Sequence, residues 1–182
     1  MTPQTKKMFL LLSVAAVIFM TVFLALAFRP DSLLSDGDTL FHIRLGERIL
    51  NEHSIPSHDV FSYVEPPAAI YPHSWLAQLV MALIYRMSGL SGVVVFYMFL
   101  ISLTAAFFYQ HLRSKAGTHL AIIFFLAGLW LSSKQWFARP LIFTMLFMVI
   151  VIRQLDRFEE TAQAKSIHFE RKIGNIEKIV PR

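Results

Sequence analysis

The chain contains no cysteine among its 182 residues, which excludes disulfides, thiolate metal sites and cysteine nucleophiles. Charged residues are scarce, at 16% of the sequence, and glycine occurs only seven times. Apolar residues take their place: 55% of the chain is hydrophobic, with 17 Phe and eight Met. This composition is too apolar for a soluble domain of this length and predicts that lipid is the solvent.

The formal net charge of +5 could indicate a nucleic-acid-binding protein. The Lys and Arg residues, however, lie at the ends of apolar runs, where the positive-inside rule places them in membrane proteins. We therefore expect membrane lipid as the partner and no nucleic acid.

Four apolar runs are candidate membrane spans, at residues 8–28, 90–110, 118–133 and 140–154. The first is an uncharged run of about 21 residues, enough for a helix to cross a hydrocarbon core of roughly 30 Å. The third and fourth runs are shorter and need flanking residues to reach full length. The sequence predicts an all-α polytopic membrane protein with about four transmembrane helices. A cleaved signal peptide is the alternative for the first run, which exceeds a usual h-region but ends in a small-residue sequence at 25–27.

The charge distribution predicts the orientation of these spans. Lys6 and Lys7 precede the first span without nearby acids, so the N-terminus is expected in the cytoplasm. The loop at 29–89 is acidic along most of its length and belongs on the external side. Residues 1–158 form the predicted membrane module, and residues 159–182 form a basic cytoplasmic tail.

Two helices are predicted inside the external loop, lying parallel to the membrane. Residues 38–52 have apolar side chains at four-residue spacing, and Asp36 or Asp38 can cap the helix start. Residues 75–87 are apolar but too short and too polar to span, which favours an interfacial or re-entrant helix that ends at Gly89.

The same loop holds most of the residues that could carry chemistry: Asp36, Asp38, His42, His53, His58, Asp59 and His73. One interpretation is a metal site, because Asp38 and His42 would share a helix face, although the spacing matches no specific ligand pattern. A second is a catalytic base, since a carboxylate at a helix start beside a membrane boundary can be partly desolvated. The third is that both aspartates cap the helix and the histidines are solvated. Spacing alone leaves these interpretations open.

Two arginines have ambiguous positions. Arg139 precedes Pro140 at the outer end of the fourth span, where it either snorkels to the interface or binds a phosphate through its planar fork. Arg86 lies within an apolar helix, which is a costlier position for a charge.

Four motifs together resemble one protein family. They are GDTLFH at 37–42, IPSHDVFSY at 55–63, HSWLAQ at 73–78 and ARPLIFT at 138–144. The chain resembles bacterial polytopic membrane proteins of the GT-C glycosyltransferase superfamily, over about residues 1–158.

The resemblance implies transfer of a sugar from a polyprenyl-phosphate donor to an acceptor at the external face of the bacterial inner membrane. It implies that Asp38 is the base that deprotonates or orients the acceptor, with Asp36 the second candidate. His42 and His73 would line the cavity, and Arg139 would approach the donor phosphate. The cofactor is unknown: a divalent cation is chemically conceivable, but the ligand spacing does not support one.

The chain also departs from the family, whose members continue through many further membrane helices. We therefore expect either a truncated or frameshifted copy of the N-terminal part of a transferase, which is a remnant or a subunit that needs a membrane partner to supply the missing helices, or a non-enzymatic small integral membrane protein. The second would bind partners or lipids through its acidic loop and basic tail.

Overall fold

The computed structural model describes residues 3–59, 61 and 69–179. Within these ranges the protein is all-α, and the only strand-like pairing is an isolated bridge between His58 and Ala69. Its helices are α1 (Pro3–Ala27), α2 (Asp38–Glu52), α3 (Trp75–Ser132) and α4 (Leu141–Ile179), with short 3-10 helices at Pro30–Leu34 and Ser133–Gln135. The predicted fold class is confirmed at this level, and α2 has the predicted bounds.

Two glycines break α3 into three limbs, which we call the first (75–88), second (90–116) and third (118–132) limbs. Gly89 has a φ of 65° and Gly117 a φ of 73°, in the left-handed region that glycine adopts without a Cβ clash. The break at Gly89 was predicted from the sequence. Separate spans at 90–110 and 118–133 were also predicted, but Gly117 was not predicted as the break between them.

The second limb lies at the centre of the bundle. Phe19 of α1 contacts Phe99 on one side, with 5.5 Å between the ring centroids. On another side Phe125 of the third limb packs on Tyr109, and Phe143 of α4 packs on Tyr97. The core is almost entirely apolar, so packing and burial hold these helices together.

The second limb and α4 run in the same direction, which defines two ends of the bundle. Tyr97 contacts Phe143 near the start of both helices, whereas Lys115 contacts Glu160 much further along both. We call the first the loop end, where residues 29–40 and 133–140 lie, and the second the far end, where residues 111–117 and 153–160 lie.

The helix α2 packs against the first limb unusually closely at Gly46. A Cβ added there would overlap the carbonyl oxygen of Gln78, so only a glycine permits this approach. About two turns further along the first limb, Arg86 donates to the side-chain oxygen of Asn51 and, at 3.4 Å, to the carbonyl oxygen of Glu47. These contacts explain how the first limb accommodates a charge that its apolar sequence made costly.

Among the described residues, the stretch 75–135 is long and apolar enough to cross a membrane, and Leu12–Ala27 is a shorter apolar helix. The glycine breaks divide the long stretch, so its second limb of about 27 residues, roughly 40 Å long, is the limb that matches one span. The number of spans and their orientation stay predictions.

The helix α4 continues far beyond the predicted fourth span. It extends without a break from Leu141 to Ile179, so the predicted boundary between the membrane module and the basic tail falls inside one helix. The change from apolar to charged residues, rather than the backbone, marks that boundary.

Candidate functional site at the loop end

Two distant segments of the chain meet at the loop end through their backbones. The N–H of Ala138 donates to the carbonyl oxygen of Leu33 at 2.8 Å, and both residues are fully buried. Leu33 belongs to the 3-10 helix that follows α1, and Ala138 lies in the turn before α4. This contact brings the aspartates that follow Leu33 next to the arginine that follows Ala138.

Arg139 binds both candidate aspartates. Its Nε contacts Oδ2 of Asp36, and its Nη2 lies 3.0 Å from Oδ2 of Asp38. The guanidinium carbon also lies 5.5 Å from the ring centroid of Phe137, which helps to orient the fork. All three charged residues were predicted as site residues, but their pairing was not predicted.

The two aspartates differ in how far they reach solvent. The side chain of Asp36 is 14% exposed, that of Arg139 is 32% exposed and that of Asp38 is 60% exposed. Asp36 therefore forms a largely enclosed ion pair, whereas Asp38 keeps most of its surface free for another molecule.

The N-cap residue of α2 is Gly37, without a side-chain cap bond, so the predicted capping by Asp36 or Asp38 is wrong in that form, and Asp36 instead bonds the helix start from one residue earlier. Its Oδ1 accepts the backbone N–H of Asp38 at 3.3 Å, where α2 begins. Asp38 is the first residue of α2, and a negative charge there interacts favourably with the helix dipole. The hydrogen bond to the Asp38 N–H and the ion pair with Arg139 thus fix the position of Asp36, and through the backbone that of Asp38.

His42 lies one turn after Asp38 on α2 and connects it to the first limb. The side-chain nitrogen of Gln78 donates to Nδ1 of His42 at 3.1 Å, which leaves the ring proton on Nε2. Burial lowers the pKa of His42 below its ordinary value of 6.5, although the nearby Asp38 charge acts in the opposite direction. His42 is therefore a neutral hydrogen-bonding group at pH 7.

Thr39 and Gln78 are polar residues of this region that sequence reasoning missed as site residues. Both residues are buried. Within the described part of the chain, the Thr39 hydroxyl and the side-chain amide oxygen of Gln78 have no hydrogen-bond partner. The sequence could have indicated them as polar side chains next to or within an apolar helix face. The same pattern also occurs in ordinary helix packing, so it does not by itself predict a site.

The remaining histidines of the loop are less closely associated with the aspartates. His73 is exposed in the segment that leads into α3, and Nδ1 of His58 pairs with the hydroxyl of Ser57 at 2.9 Å. No group of three or more Asp, Glu or His residues in the described ranges is arranged to hold a metal ion. Part of the IPSHDVFSY motif, at 60, 62 and 63, lies outside the described residues.

Comparison with known proteins gave no match to a protein-family model, to a curated protein or to a solved structure. The resemblance to the GT-C superfamily therefore rests on the motifs quoted above, and a function has to be argued from the geometry of the loop end.

Proposed function

We propose that this chain is the N-terminal membrane module of a GT-C-type glycosyltransferase that uses a polyprenyl-phosphate sugar at the external face of the bacterial inner membrane. One observation carries the proposal: an exposed carboxylate, Asp38, is held by an arginine at one end of an apolar helical bundle. That is the position where a water-soluble acceptor can meet a donor anchored in lipid.

The surface of the bundle supports its insertion into lipid. Large apolar side chains are exposed on the third limb and α4, among them Phe124, Leu126, Trp130, Leu131, Phe147, Met148 and Val151. Exposed apolar area of this kind is unfavourable in water, and the bilayer removes that cost. We therefore propose four spans at 8–28, 90–110, 118–133 and 140–154, with the loop end outside and the far end in the cytoplasm.

Asp38 is the proposed catalytic base. An acceptor hydroxyl gives its proton to the Asp38 carboxylate as its oxygen forms a bond to the anomeric carbon of the sugar. The bond between that carbon and the phosphate oxygen breaks, and the polyprenyl phosphate leaves with the electron pair. A phosphate is a good leaving group, so a single positioned carboxylate can supply the base.

Arg139 has the chemistry to bind the donor. Its planar fork matches phosphate oxygens as well as carboxylates, and its contact with the exposed Asp38 can be exchanged for a contact with phosphate. The enclosed Asp36 would remain bound to the same guanidinium and hold it in place. This assigns Asp36 a positioning role and leaves Asp38 free to act on the acceptor.

The two histidines have supporting roles in this proposal. His42 is neutral and one turn from Asp38, so its Nε2 proton can hydrogen-bond a sugar or acceptor oxygen. His73 is exposed at the approach to the first limb and would line the outer part of the cavity. Asp38 is 60% exposed, so helices of another membrane subunit have space to pack beside it.

A non-enzymatic membrane protein is the second candidate function. Its support is that Arg139 partly neutralises both aspartates, as expected for an ion pair that merely joins the loop to the turn before α4. In that case the acidic loop would bind a partner and no bond would be made or broken.

The decisive experiment measures sugar transfer from a polyprenyl-phosphate sugar by membranes that contain the chain. We expect Asp38→Asn to lower the rate by about 100-fold or more, because general-base catalysis contributes about that factor. Asp31→Asn is the matched control, since Asp31 is an exposed acid in the same loop. Equal background rates for wild type and both variants would exclude the proposed enzymatic function.

The proposed orientation can be tested separately by cysteine labelling, because the chain has no cysteine of its own. Ser54→Cys lies just after α2 and Ser166→Cys lies in α4 beyond the far end, and both positions are exposed. A membrane-impermeant maleimide should label only Ser54→Cys in intact spheroplasts. Labelling of Ser166→Cys alone would reverse the orientation and exclude an external active site.

A further inference from the structure

A second feature of the molecule lies at the far end, between the second limb and α4. It is a cleft of about 220 Å³ lined by Phe107, Ile150, Arg153, Gln154 and Arg157. Two arginines and an amide thus surround a small space next to apolar side chains, at the point where α4 changes from apolar to charged.

The acids near this cleft are engaged elsewhere. Asp156 lies 3.4 Å from Nδ1 of His111 and 3.3 Å from Nζ of Lys115, and Glu160 lies 3.2 Å from the same Lys115 nitrogen. Within the described residues, neither Arg153 nor Arg157 has a carboxylate partner. The carboxylates and the arginines of this region are therefore separated, and the cleft keeps uncompensated positive charge.

The two arginines are also held close together. The guanidinium of Arg153 lies 5.0 Å from the ring centroid of Phe107, which fixes it against the second limb. Arg157 follows one helical turn later on α4, and like charges at this spacing repel each other. An anion between them would remove the repulsion and would accept hydrogen bonds from both guanidinium groups.

We propose that this cleft binds the phosphate group of an anionic phospholipid. The adjoining surface of α4 supports a lipid over a free phosphate, because Val151, Leu155 and Phe158 are exposed and line a neighbouring groove of about 660 Å³ that also includes Arg157. A headgroup on the arginines would place an acyl chain along these apolar residues. Basic sites of this kind between membrane helices bind anionic headgroups on the cytoplasmic side.

The inference rests on the membrane insertion proposed above and is independent of sugar transfer. Binding can therefore be measured on purified full-length protein in a zwitterionic detergent, with no sugar donor present. The probe is phosphatidylglycerol that carries a fluorophore on one acyl chain, compared with phosphatidylcholine that carries the same fluorophore. We expect wild type to bind the anionic lipid at least tenfold more tightly.

The variant Arg153→Gln/Arg157→Gln should bind phosphatidylglycerol about 30-fold more weakly, the factor expected for two cations near an anionic headgroup. The matched control is Arg29→Gln/Lys134→Gln, which removes two positive charges at the loop end and should bind as wild type does. Arg153→Lys/Arg157→Lys keeps the two positive charges but removes the planar guanidinium groups. We expect this variant to retain part of the preference for phosphatidylglycerol over phosphatidylcholine. Circular dichroism checks that each variant has the helix content of wild type.

Three results would overturn the proposal. The first is equal binding of the two lipids by wild type, and the second is an equal loss in the glutamine double variant and its loop-end control. The third is displacement of the labelled lipid by inorganic phosphate as effectively as by unlabelled phosphatidylglycerol, which would make the site a phosphate site without a lipid requirement.

Discussion

Asp36 and Asp38 contact the same guanidinium, yet we expect Asp36 to matter more for stability and Asp38 to matter more for activity. Asp36 is 14% exposed and accepts the backbone N–H of Asp38, whereas Asp38 is 60% exposed. The substitution Asp36→Asn should therefore destabilise the protein with a lesser effect on chemistry. Asp38→Asn should leave stability almost unchanged and lower the proposed transfer activity by about 100-fold or more.

The magnitudes follow from exposure. Removing one partner of a buried ion pair costs about 3–5 kcal/mol, but Arg139 is one-third exposed, so water compensates part of the loss. We expect about 2 kcal/mol for Arg139→Gln and a similar or somewhat smaller cost for Asp36→Asn. For the exposed Asp38 the expected cost is below about 1 kcal/mol. The double variant Asp36→Asn/Arg139→Gln should cost about 1–2 kcal/mol less than the sum of its single variants, because it leaves no enclosed charge without a partner.

Thermal unfolding in detergent, followed by tryptophan fluorescence, measures these differences, since Trp136 lies in the turn that Arg139 connects to the loop. A loss of 2 kcal/mol corresponds to a fall in Tm of about 4–8 °C for a chain of this size. If Asp38→Asn lowers Tm as much as Asp36→Asn, or if the double variant shows the additive sum, the division of roles between the two aspartates is wrong.

Three further predictions concern the helices around the site. Gly46→Ala should destabilise the protein by about 2–3 kcal/mol because its Cβ would overlap the Gln78 carbonyl, whereas Gly37→Ala has open space and should change the unfolding free energy little. Burial lowers the pKa of His42, so the unfolded chain takes up a proton first as pH falls; stability should be complete above about pH 6.5 and decrease below it. His42→Gln should flatten that decrease in a pH series of unfolding curves, and an unchanged slope would exclude His42 as its source. Gly117→Ala places a side chain at a φ of 73° and should cost about 1–2 kcal/mol in the same unfolding assay, and an unchanged free energy would argue against the break at this position.

Local rules were enough to predict most of the helices. The periodic apolar positions of 38–52 gave α2 its bounds, and the Ser-Gly sequence at 88–89 gave the break before the second limb. The length of α4 was missed because only apolar runs were treated as helix signals. The charged residues after Arg153 are good helix formers at four-residue spacing, and Gln163 indeed contacts Glu159 at that spacing.

The site itself could be predicted only residue by residue. Asp36 and Arg139 are about a hundred positions apart, and no local pattern states which side chains meet when two loops lie at the same end of a bundle. The one available signal was topological: the predicted spans placed both residues on the same side of the membrane. The predicted side of the membrane indicates that Asp36 and Arg139 lie in the same region. It does not predict that they form an ion pair, nor the difference in exposure between Asp36 and Asp38.

The paired charges at the two ends explain how an apolar bundle can have a single register. In the bilayer that we propose for this bundle, apolar helices would gain little from the hydrophobic effect when they associate, so packing and polar contacts would decide their relative position. Arg139 ties the start of α4 to the loop before α2, and Asp156 ties α4 to Lys115 of the second limb. A shift of α4 by one turn would move Arg139 and Asp156 by about 5.4 Å and would break both connections at once. The register of α4 is thus specified at both ends, which is also what keeps Asp38 next to Arg139.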